Sequence, residues 1–361
     1  MRRQFVGACA ALLTLACSSL GGGGGASEPA PATPAAPVSP WQVGTSYVLD
    51  LWLHGYAMVQ RDTSEVPYFR RGYREMIASA KSRRGVTTQL DANATTLQRG
   101  FDANPGLVSG QFLGLQERNW EEMQADITAF LEANGDPRAA RDSTMRPAIA
   151  AYAQSFPRQS DREWLRLFAQ SLADENTRFY QQYWNDRQHE LAPVLARVDS
   201  LFTKRYFQAL RGYLNNSQLD KGVMLLSLPL DGEGRTITSQ HTVAVIFPST
   251  PDSAMEAVYT FVHEAAGLAS GQAVSDNTTP NEKQSGAAAR YESAAAVRTG
   301  AALLRRTAPD LVTGYDRYYL RAARGRVTSS DVESEFERAF PLPQAMLDAI
   351  NKQIDRLLST I

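Results

Sequence analysis

The sequence predicts a mainly α-helical fold, a helical domain with a small antiparallel β-hairpin or sheet beside one particular helix. Two observations favour this class. Apolar residues recur at spacings of three, four and seven over most of the chain, and only one short region is instead rich in β-branched residues. Residues at the helical spacings share one helix face, so we expect amphipathic helices that pack on one another.

The helical pattern is clearest from Asp161 onward and continues beyond Val194. Shorter helical patterns cover residues 46–60, 115–133 and 343–358. The apolar positions of the two clearest segments are Leu165, Phe168, Leu172, Phe179 and Tyr183, followed by Val198, Leu201, Phe202 and Leu210.

The β-rich region consists of residues 223–230 and 235–248, which are joined by the four residues 231–234. Two such runs around a glycine-containing turn predict a hairpin. Thr250 and Pro251 follow the second run and are typical of a helix start, with Thr250 as the N-cap and Pro251 in the first turn.

The N-terminus predicts an exported protein. Two arginines precede an apolar run over residues 5–15, which is signal-peptide architecture and too short to span a bilayer. Residues 13–17 resemble the lipobox of bacterial lipoproteins, in which the cysteine is acylated, although Thr14 stands where leucine is usual. We therefore expect a signal peptide over residues 1–16 and lipidation at Cys17; the alternative is an ordinary cleaved signal that leaves Cys17 unmodified.

The segment 17–40 combines five glycines with an Ala/Pro/Ser tract, a composition typical of a flexible tether. Residues 41–361 then form a single mostly helical domain, because no long linker interrupts them. The resulting expectation is a protein held by its lipid at a membrane surface, periplasmic or on the cell surface, with a protein partner there.

Composition excludes several classes of function. The chain has 37 Lys and Arg against 38 Asp and Glu, and it shows no basic stretch interleaved with aromatics, so nucleic acid is not an expected partner. Both cysteines, Cys9 and Cys17, lie in the N-terminal segment, which leaves no thiol nucleophile or disulfide downstream. The chain also lacks a glycine-rich phosphate loop and a Gly-x-Ser-x-Gly elbow.

The residues that suggest chemistry are His263 and Glu264, on the predicted helix after the β-rich region, and Glu292 on a later helix. A strand, a His-Glu helix and a glutamate helix in this order resemble the gluzincin-type metallopeptidases, which bind zinc through HExxH and a downstream glutamate. The resemblance covers about residues 223–305. It implies that His263 and Glu292 are metal ligands, that Glu264 is the general base, and that residues 241–247 form the strand beside the substrate.

The sequence departs from that family at Gly267, where the second histidine should stand. A catalytic zinc generally has three protein ligands and a water, and the motif here supplies two. His241 and Asp276, which flank the helix in sequence, are the candidate third donors. We therefore expect no cofactor, with zinc as the alternative.

A structural role explains the same residues and is preferred. His263 is then a buried histidine satisfied by a carboxylate, and Glu292 pairs with Arg290 or Arg298 or with His263 itself. The alanine-rich stretch 286–304 favours close packing of two helices without any active site.

Two functions follow from these alternatives. The first is a catalytically degenerate zincin-like fold on a membrane-anchored lipoprotein, acting as a binding or structural (extrinsic) subunit of a membrane complex. The second is an active zinc metallopeptidase with an atypical ligand set that acts on peptides near the membrane. The lost histidine at Gly267 favours the first, because a fold can outlast its metal site.

Overall fold

The computed structural model describes residues 39–62, 64, 66–327 and 330–359. The predicted signal peptide, the lipidation site Cys17 and nearly all of the predicted tether lie outside the described residues. Residues from Ser39 onward group into one compact unit. Among the described residues, no helix has both the length and the apolar character needed to cross a membrane.

Helices dominate the described chain, which confirms the predicted fold class. The three shorter predicted helices are observed, and the longer periodic segments give the paired helices before the sheet. The α-helices are α1 (Tyr47–Val59), α2 (Tyr73–Arg84), α3 (Gln89–Ala103), α4 (Trp120–Glu132), α5 (Arg146–Ser155), α6 (Gln159–Glu175), α7 (Gln181–Leu201), α8 (Phe207–Asn216), α9 (Met255–Asn277), α10 (Pro280–Gln284), α11 (Ala287–Thr307), α12 (Val312–Arg324), α13 (Val332–Ala339) and α14 (Gln344–Ser359).

Four strands form one small sheet: β1 (Trp41–Gly44), β2 (Gly222–Ser227), β3 (Arg235–Ile237) and β4 (Thr242–Ile246). Their spatial order is β1-β2-β4-β3, with β2 parallel to both β1 and β4, and β3 antiparallel to β4.

The strand pairing corrects the predicted hairpin. The β-rich residues 223–230 and 235–248 do not form an antiparallel hairpin across the turn at residues 231–234. Instead, the chain crosses over in that turn, β3 folds back on β4, and β4 lies parallel to β2. As a consequence β4 is an interior strand, and β3 rather than residues 241–247 forms the edge.

The two faces of the sheet belong to two hydrophobic clusters. Val243 and Val245 of β4 pack with α7 to α9 and α11 to α14, whereas Ala244, between them, packs with α1 to α6. Met224 of β2 points the same way as Val243, in keeping with the two-residue period of a strand. The sheet is therefore covered by helices on both sides.

The start signal predicted at Thr250 also appears in the structure. The Thr250 hydroxyl accepts a hydrogen bond from the backbone N–H of Ser253, and this capped turn leads directly into α9. Because β4 and α9 are joined by this short connection, the His-Glu pair lies on a helix that packs against the sheet.

Candidate functional site

His263 lies on α9 with only 2% of its side chain exposed. Its Nε2 atom is 2.9 Å from Oε2 of Glu233 and 3.7 Å from Oε1 of Glu264. Its Nδ1 atom is buried and has no hydrogen-bond partner among the residues that the structure describes. The ring packs against Tyr319, with ring centroids 5.2 Å apart. One edge of the imidazole thus faces two carboxylates, and the other edge faces protein without a polar contact.

Glu264 is held in place by the backbone of the loop before β3. Its Oε1 accepts a hydrogen bond of 2.8 Å from the N–H of Gly234. A Cβ added at Gly234 would lie 2.1 Å from the carbonyl oxygen of Ala244 and 3.2 Å from Cγ of Glu264. Only glycine permits this approach, so Gly234 is needed for the contact between the loop and the helix.

Glu233 comes from the same loop, residues 231–234, which is fixed by backbone contacts. The N–H of Asp231 donates to the carbonyl of Tyr68 at 2.8 Å, and the N–H of Glu233 donates to that of Pro67 at 3.1 Å. The hydroxyl of Tyr319 donates to the carbonyl of Gly232 at 3.1 Å. A well-anchored loop therefore presents Glu233 to His263.

We call Glu233, His263 and Glu264 the three-donor group. Each residue offers one ligand atom, and the three atoms lie within 4.8 Å of one another. Ligand atoms of a tetrahedral zinc site are about 3.3 to 3.6 Å apart, given bonds of 2.0 to 2.2 Å. Small side-chain movements would bring these donors to that spacing. The chemistry of the set, one imidazole and two carboxylates, fits a divalent cation such as zinc.

The pKa values of the group reflect surplus negative charge in a buried place. Burial raises the pKa of Glu264 to about 7; His263 opposes this shift and Glu233 adds to it. Burial alone lowers the pKa of His263, but the adjacent Glu233 carboxylate outweighs burial and the net pKa is raised. Glu264 and His263 therefore retain their protons to a higher pH than exposed residues of these types.

Tyr68 and Arg235 lie beside the group. Burial, and then the charges of Glu233 and Glu264, raise the pKa of Tyr68. Arg235 is exposed, and its charge slightly lowers the pKa of Glu264. These contacts provide a phenol and a guanidinium at the edge of the group.

The structure brings together only part of the residue set predicted from the sequence. His263 and Glu264 are adjacent, but Glu292 lies exposed on α11 and is not in the three-donor group. Asp276 is exposed on α9, about 20 Å further along the helix axis at 1.5 Å per residue. His241 lies at the amino end of β4, whereas the Gly234–Glu264 contact is made beside Ala244.

Gly267 faces α11. A Cβ at this position would lie 3.8 Å from the Cβ of Ala296, which is an ordinary packing distance. The two helices approach closely here through small side chains, as the alanine-rich sequence predicts. The position that holds the second histidine in an HExxH motif is thus part of a helix–helix contact.

The sequence reasoning missed Glu233. The signal was available, since Glu233 is an acidic residue in the short connection that leads into the strands before the His-Glu helix. That connection was interpreted only as a turn. Its function as a donor depends on the strand crossover, which brings residues 231–234 over α9.

A second buried histidine, His54, also contacts a glutamate. His54 Nε2 lies 3.0 Å from Oε1 of Glu175, and His54 Nδ1 lies 3.0 Å from the hydroxyl of Tyr73. The other oxygen of Glu175 is 2.7 Å from Nζ of Lys81, which also binds Asp91 at 2.7 Å. Burial would raise the pKa of Glu175, but His54 and Lys81 lower it to about 2.

Comparison with known proteins gives no assignment. No family model matches the chain, and the searches of curated proteins and of solved structures found no match either.

Proposed function

We propose that this protein is a membrane-anchored extracytoplasmic lipoprotein with a catalytically degenerate zincin-like fold, and that it acts as a binding or structural subunit at a membrane complex. Anchoring rests on the lipobox-like sequence around Cys17 and on the tether that follows it. The degenerate character rests on the surroundings of His263.

The packing of Gly267 against Ala296 is the observation that carries this proposal. A zinc peptidase of the HExxH-plus-glutamate type needs an imidazole at position 267 and a carboxylate from the next helix. Here position 267 is a glycine packed against the next helix, and Glu292 is exposed to solvent. Neither residue supports tight zinc binding in the peptidase geometry.

Limited access to the three-donor group also supports a role other than hydrolysis. The side chains of Glu233 and Glu264 are 15% and 11% exposed, and that of His263 is 2% exposed. A peptide bond would have to reach Glu264, which is already engaged by the Gly234 N–H. The contacts of the group are those of a folded connection between loop and helix.

The anchoring part is tested by metabolic labelling of the full chain with radioactive fatty acid in a bacterial host. We expect label in the wild type and in Cys9→Ser, which is the matched control, and none in Cys17→Ser. Label retained in Cys17→Ser, or absent from the wild type, would contradict lipidation at this residue.

The subunit part is tested by native electrophoresis of membranes solubilised in mild detergent from the cells that make the protein. We expect migration in a species heavier than the 39.7 kDa chain. Migration as a monomer would contradict a role as a subunit.

The absence of catalysis is tested by adding zinc and a mixed peptide library to the purified chain. We expect no hydrolysis of the peptides.

The second candidate is an active zinc metallopeptidase with an atypical ligand set. The convergence of Glu233 with His263 and Glu264 favours it, because Glu233 replaces the exposed Glu292 as the second metal ligand and Glu264 is free to act as the base. In that case Glu233 and His263 would hold the metal, and bound zinc would polarise the scissile carbonyl. Glu264 would accept the proton of the attacking water, and its raised pKa suits a group that takes up protons near neutral pH.

Elemental analysis after exposure to zinc, together with the hydrolysis assay, separates the two candidates. The peptidase predicts near-stoichiometric zinc that is lost in His263→Ala and Glu233→Gln, and hydrolysis that is lost in Glu264→Gln. Glu292→Gln is the matched control and should change neither. Hydrolysis with this pattern would overturn the subunit proposal, whereas its absence would overturn the peptidase.

A further inference from the structure

A cavity of about 320 Å³ opens at the carboxyl ends of the parallel strands β2 and β4, and its lining includes none of the three-donor group. Ser227 and Ile246, the last residues of these strands, are paired with each other in the sheet, so both strands end at the same level. The chain segments beyond them diverge, Asp231 on one side and the start of α9 on the other. Crevices at the carboxyl ends of adjacent parallel strands are where open sheets bind ligands.

Two arginines give the cavity a positive side. Arg70 donates hydrogen bonds to the carbonyl of Phe247 and, at 2.8 Å, to the hydroxyl of Ser249. Arg71 donates to the carbonyl of Ala322 at 2.6 Å. Among the described residues, neither guanidinium has a carboxylate within 4.0 Å, so both are held in position by neutral acceptors.

Arg70 has unused hydrogen-bonding capacity. Its Nε atom is buried and has no hydrogen-bond partner within the described part of the chain, and burial lowers the pKa of its guanidinium. A buried guanidinium that lacks a carboxylate partner favours binding of an anionic group, because a charge-assisted hydrogen bond offsets desolvation. Arg70 and Arg71 are therefore suited to a carboxylate, which they can bind with planar, forked geometry.

The cavity also has a negative side. Glu256 is already paired with Arg321 at 2.5 Å, which neutralises both. Asp231, by contrast, lines the cavity and makes no ion pair with any described residue. The charges left without a close partner are thus two guanidinium groups and one carboxylate, facing one cavity.

We propose that this cavity binds a small zwitterion of the α-amino-acid class. The ligand carboxylate lies against Arg70 and Arg71, and the ligand ammonium lies against Asp231. The apolar lining from Ile246 and the ring of Tyr318 contacts the ligand side chain. A dianion such as phosphate would satisfy the arginines but would be repelled by Asp231, and a simple amine would leave both arginines unpaired.

The binding site is independent of the function proposed above, because it uses neither the three-donor group nor the membrane anchor. It shares only the loop 231–234, whose backbone is fixed to Pro67 and Tyr68. A side-chain change at Asp231 therefore leaves the hydrogen bonds of the loop intact.

The test uses the full chain, purified in detergent, and isothermal titration calorimetry with each standard L-amino acid in turn. We expect saturable binding of at least one. The best of these is then compared with its decarboxylated amine, its deaminated acid and inorganic phosphate. Each of the three should bind at least about tenfold more weakly, since each loses a charge-assisted contact.

Two variants assign the contacts. Asp231→Asn should lower the affinity for the amino acid by about tenfold and leave the affinity for the deaminated acid unchanged. Arg71→Gln should lower the affinity for both ligands. Asp220→Asn, at an exposed residue, is the matched control and should bind as the wild type does. Circular dichroism and thermal midpoints confirm that each variant is folded.

Three outcomes would overturn the proposal. The first is no saturable binding of any standard amino acid. The second is an amine or phosphate that binds as tightly as the best amino acid. The third is an unchanged affinity in both folded variants. None of these outcomes depends on lipidation, metal binding or hydrolysis, so this proposal and the proposed function fail separately.

Discussion

The two buried histidine–glutamate contacts use the same residue types and reach opposite electrostatic states. In the first, His54 and Lys81 surround Glu175, so one carboxylate receives a cation and two further donors. In the second, His263 faces both Glu233 and Glu264, and no lysine or arginine forms an ion pair with either carboxylate among the described residues. The buried charge of Glu175 is therefore balanced by a lysine, and we call this set the balanced network. The two carboxylates beside His263 share one imidazole and have no such partner among the described residues.

The hydrogen-bonding capacity of the two histidines differs in the same way. Both nitrogens of His54 have hydrogen-bond partners, whereas Nδ1 of His263 has none among the described residues. A satisfied, charge-balanced network stabilises a fold, and an unbalanced one favours binding of a further cation or proton. We therefore interpret the His54 network as structural and the three-donor group as the candidate functional site.

Removing the cation from the balanced network should have the largest effect. Lys81→Met leaves Glu175 buried with one partner fewer, and we expect the free energy of unfolding to fall by about 3 to 5 kcal/mol. Urea unfolding followed by circular dichroism measures this change. Lys352→Met, at an exposed residue, is the control and should be nearly neutral. A loss below about 1 kcal/mol would mean that the network is not a major source of stability.

The two regions should also titrate in opposite directions. The pKa of Glu175 is lowered from 4.5 to about 2, so its contribution to stability is present above pH 4.5 and is lost as the pH falls toward 2. That contribution is about 3 kcal/mol at 1.36 kcal/mol per pKa unit. The pKa of Glu264 is raised from 4.5 to about 7, so stability falls as the pH rises through that interval. The pKa of His263 is also raised from 6.5 in the folded state, so its contribution to stability is likewise lost as the pH rises above 6.5.

Urea unfolding at a series of pH values measures these contributions as differences from the wild type. Glu175→Gln should remove the loss of stability on the acid side, and Glu264→Gln should remove the decline between pH 4.5 and 7. Difference curves of the same sign for both variants would contradict the contrast between the regions.

The fold class could be predicted because the signals for a helix, periodic apolar residues and capping residues, lie within the helical segment itself. Periodic apolar residues predicted α1, α4 and α14 closely, and Thr250 gave the start before α9. The sheet could not be predicted to the same depth. A turn between two β-rich runs favours a hairpin, whereas the parallel pairing of β2 with β4 and the edge position of β3 depend on contacts between distant parts of the chain.

The candidate site shows the same limit. His263 and Glu264 are adjacent in sequence and were found from their motif, but Glu233 joins them from a loop thirty residues earlier. In the balanced network, Lys81 meets Glu175 across 94 residues of sequence. No local pattern encodes such a pairing, because it follows from how helices pack.

Removing one carboxylate of the three-donor group should change the titration of His263. Glu233→Gln keeps the shape of the side chain but removes the charge that raises the pKa of His263, and we expect that pKa to fall. Nuclear magnetic resonance of the histidine ring protons measures it. Glu292→Gln is the control, and the ring protons of His54 should not respond to either variant. An unchanged pKa of His263 in Glu233→Gln would contradict the contact.

The smallest expected effect concerns Gly267, one turn after His263. Gly267→Ala adds a methyl group at an ordinary distance from Ala296 and replaces glycine inside a helix, so the free energy of unfolding should rise by about 0.5 to 1 kcal/mol. Gly271→Ala, on the same helix where the added Cβ has no neighbour within 4 Å, measures the helix propensity alone. Gly300→Ala should have the opposite sign, because its Cβ would lie 2.1 Å from the hydroxyl of Tyr315. A gain at Gly267 that exceeds the gain at Gly271 indicates a stabilising helix contact at Gly267, and an equal gain would mean that the added methyl group makes no such contact. A fall in the free energy of unfolding of Gly267→Ala would mean that the packing of α9 on α11 requires glycine at this position.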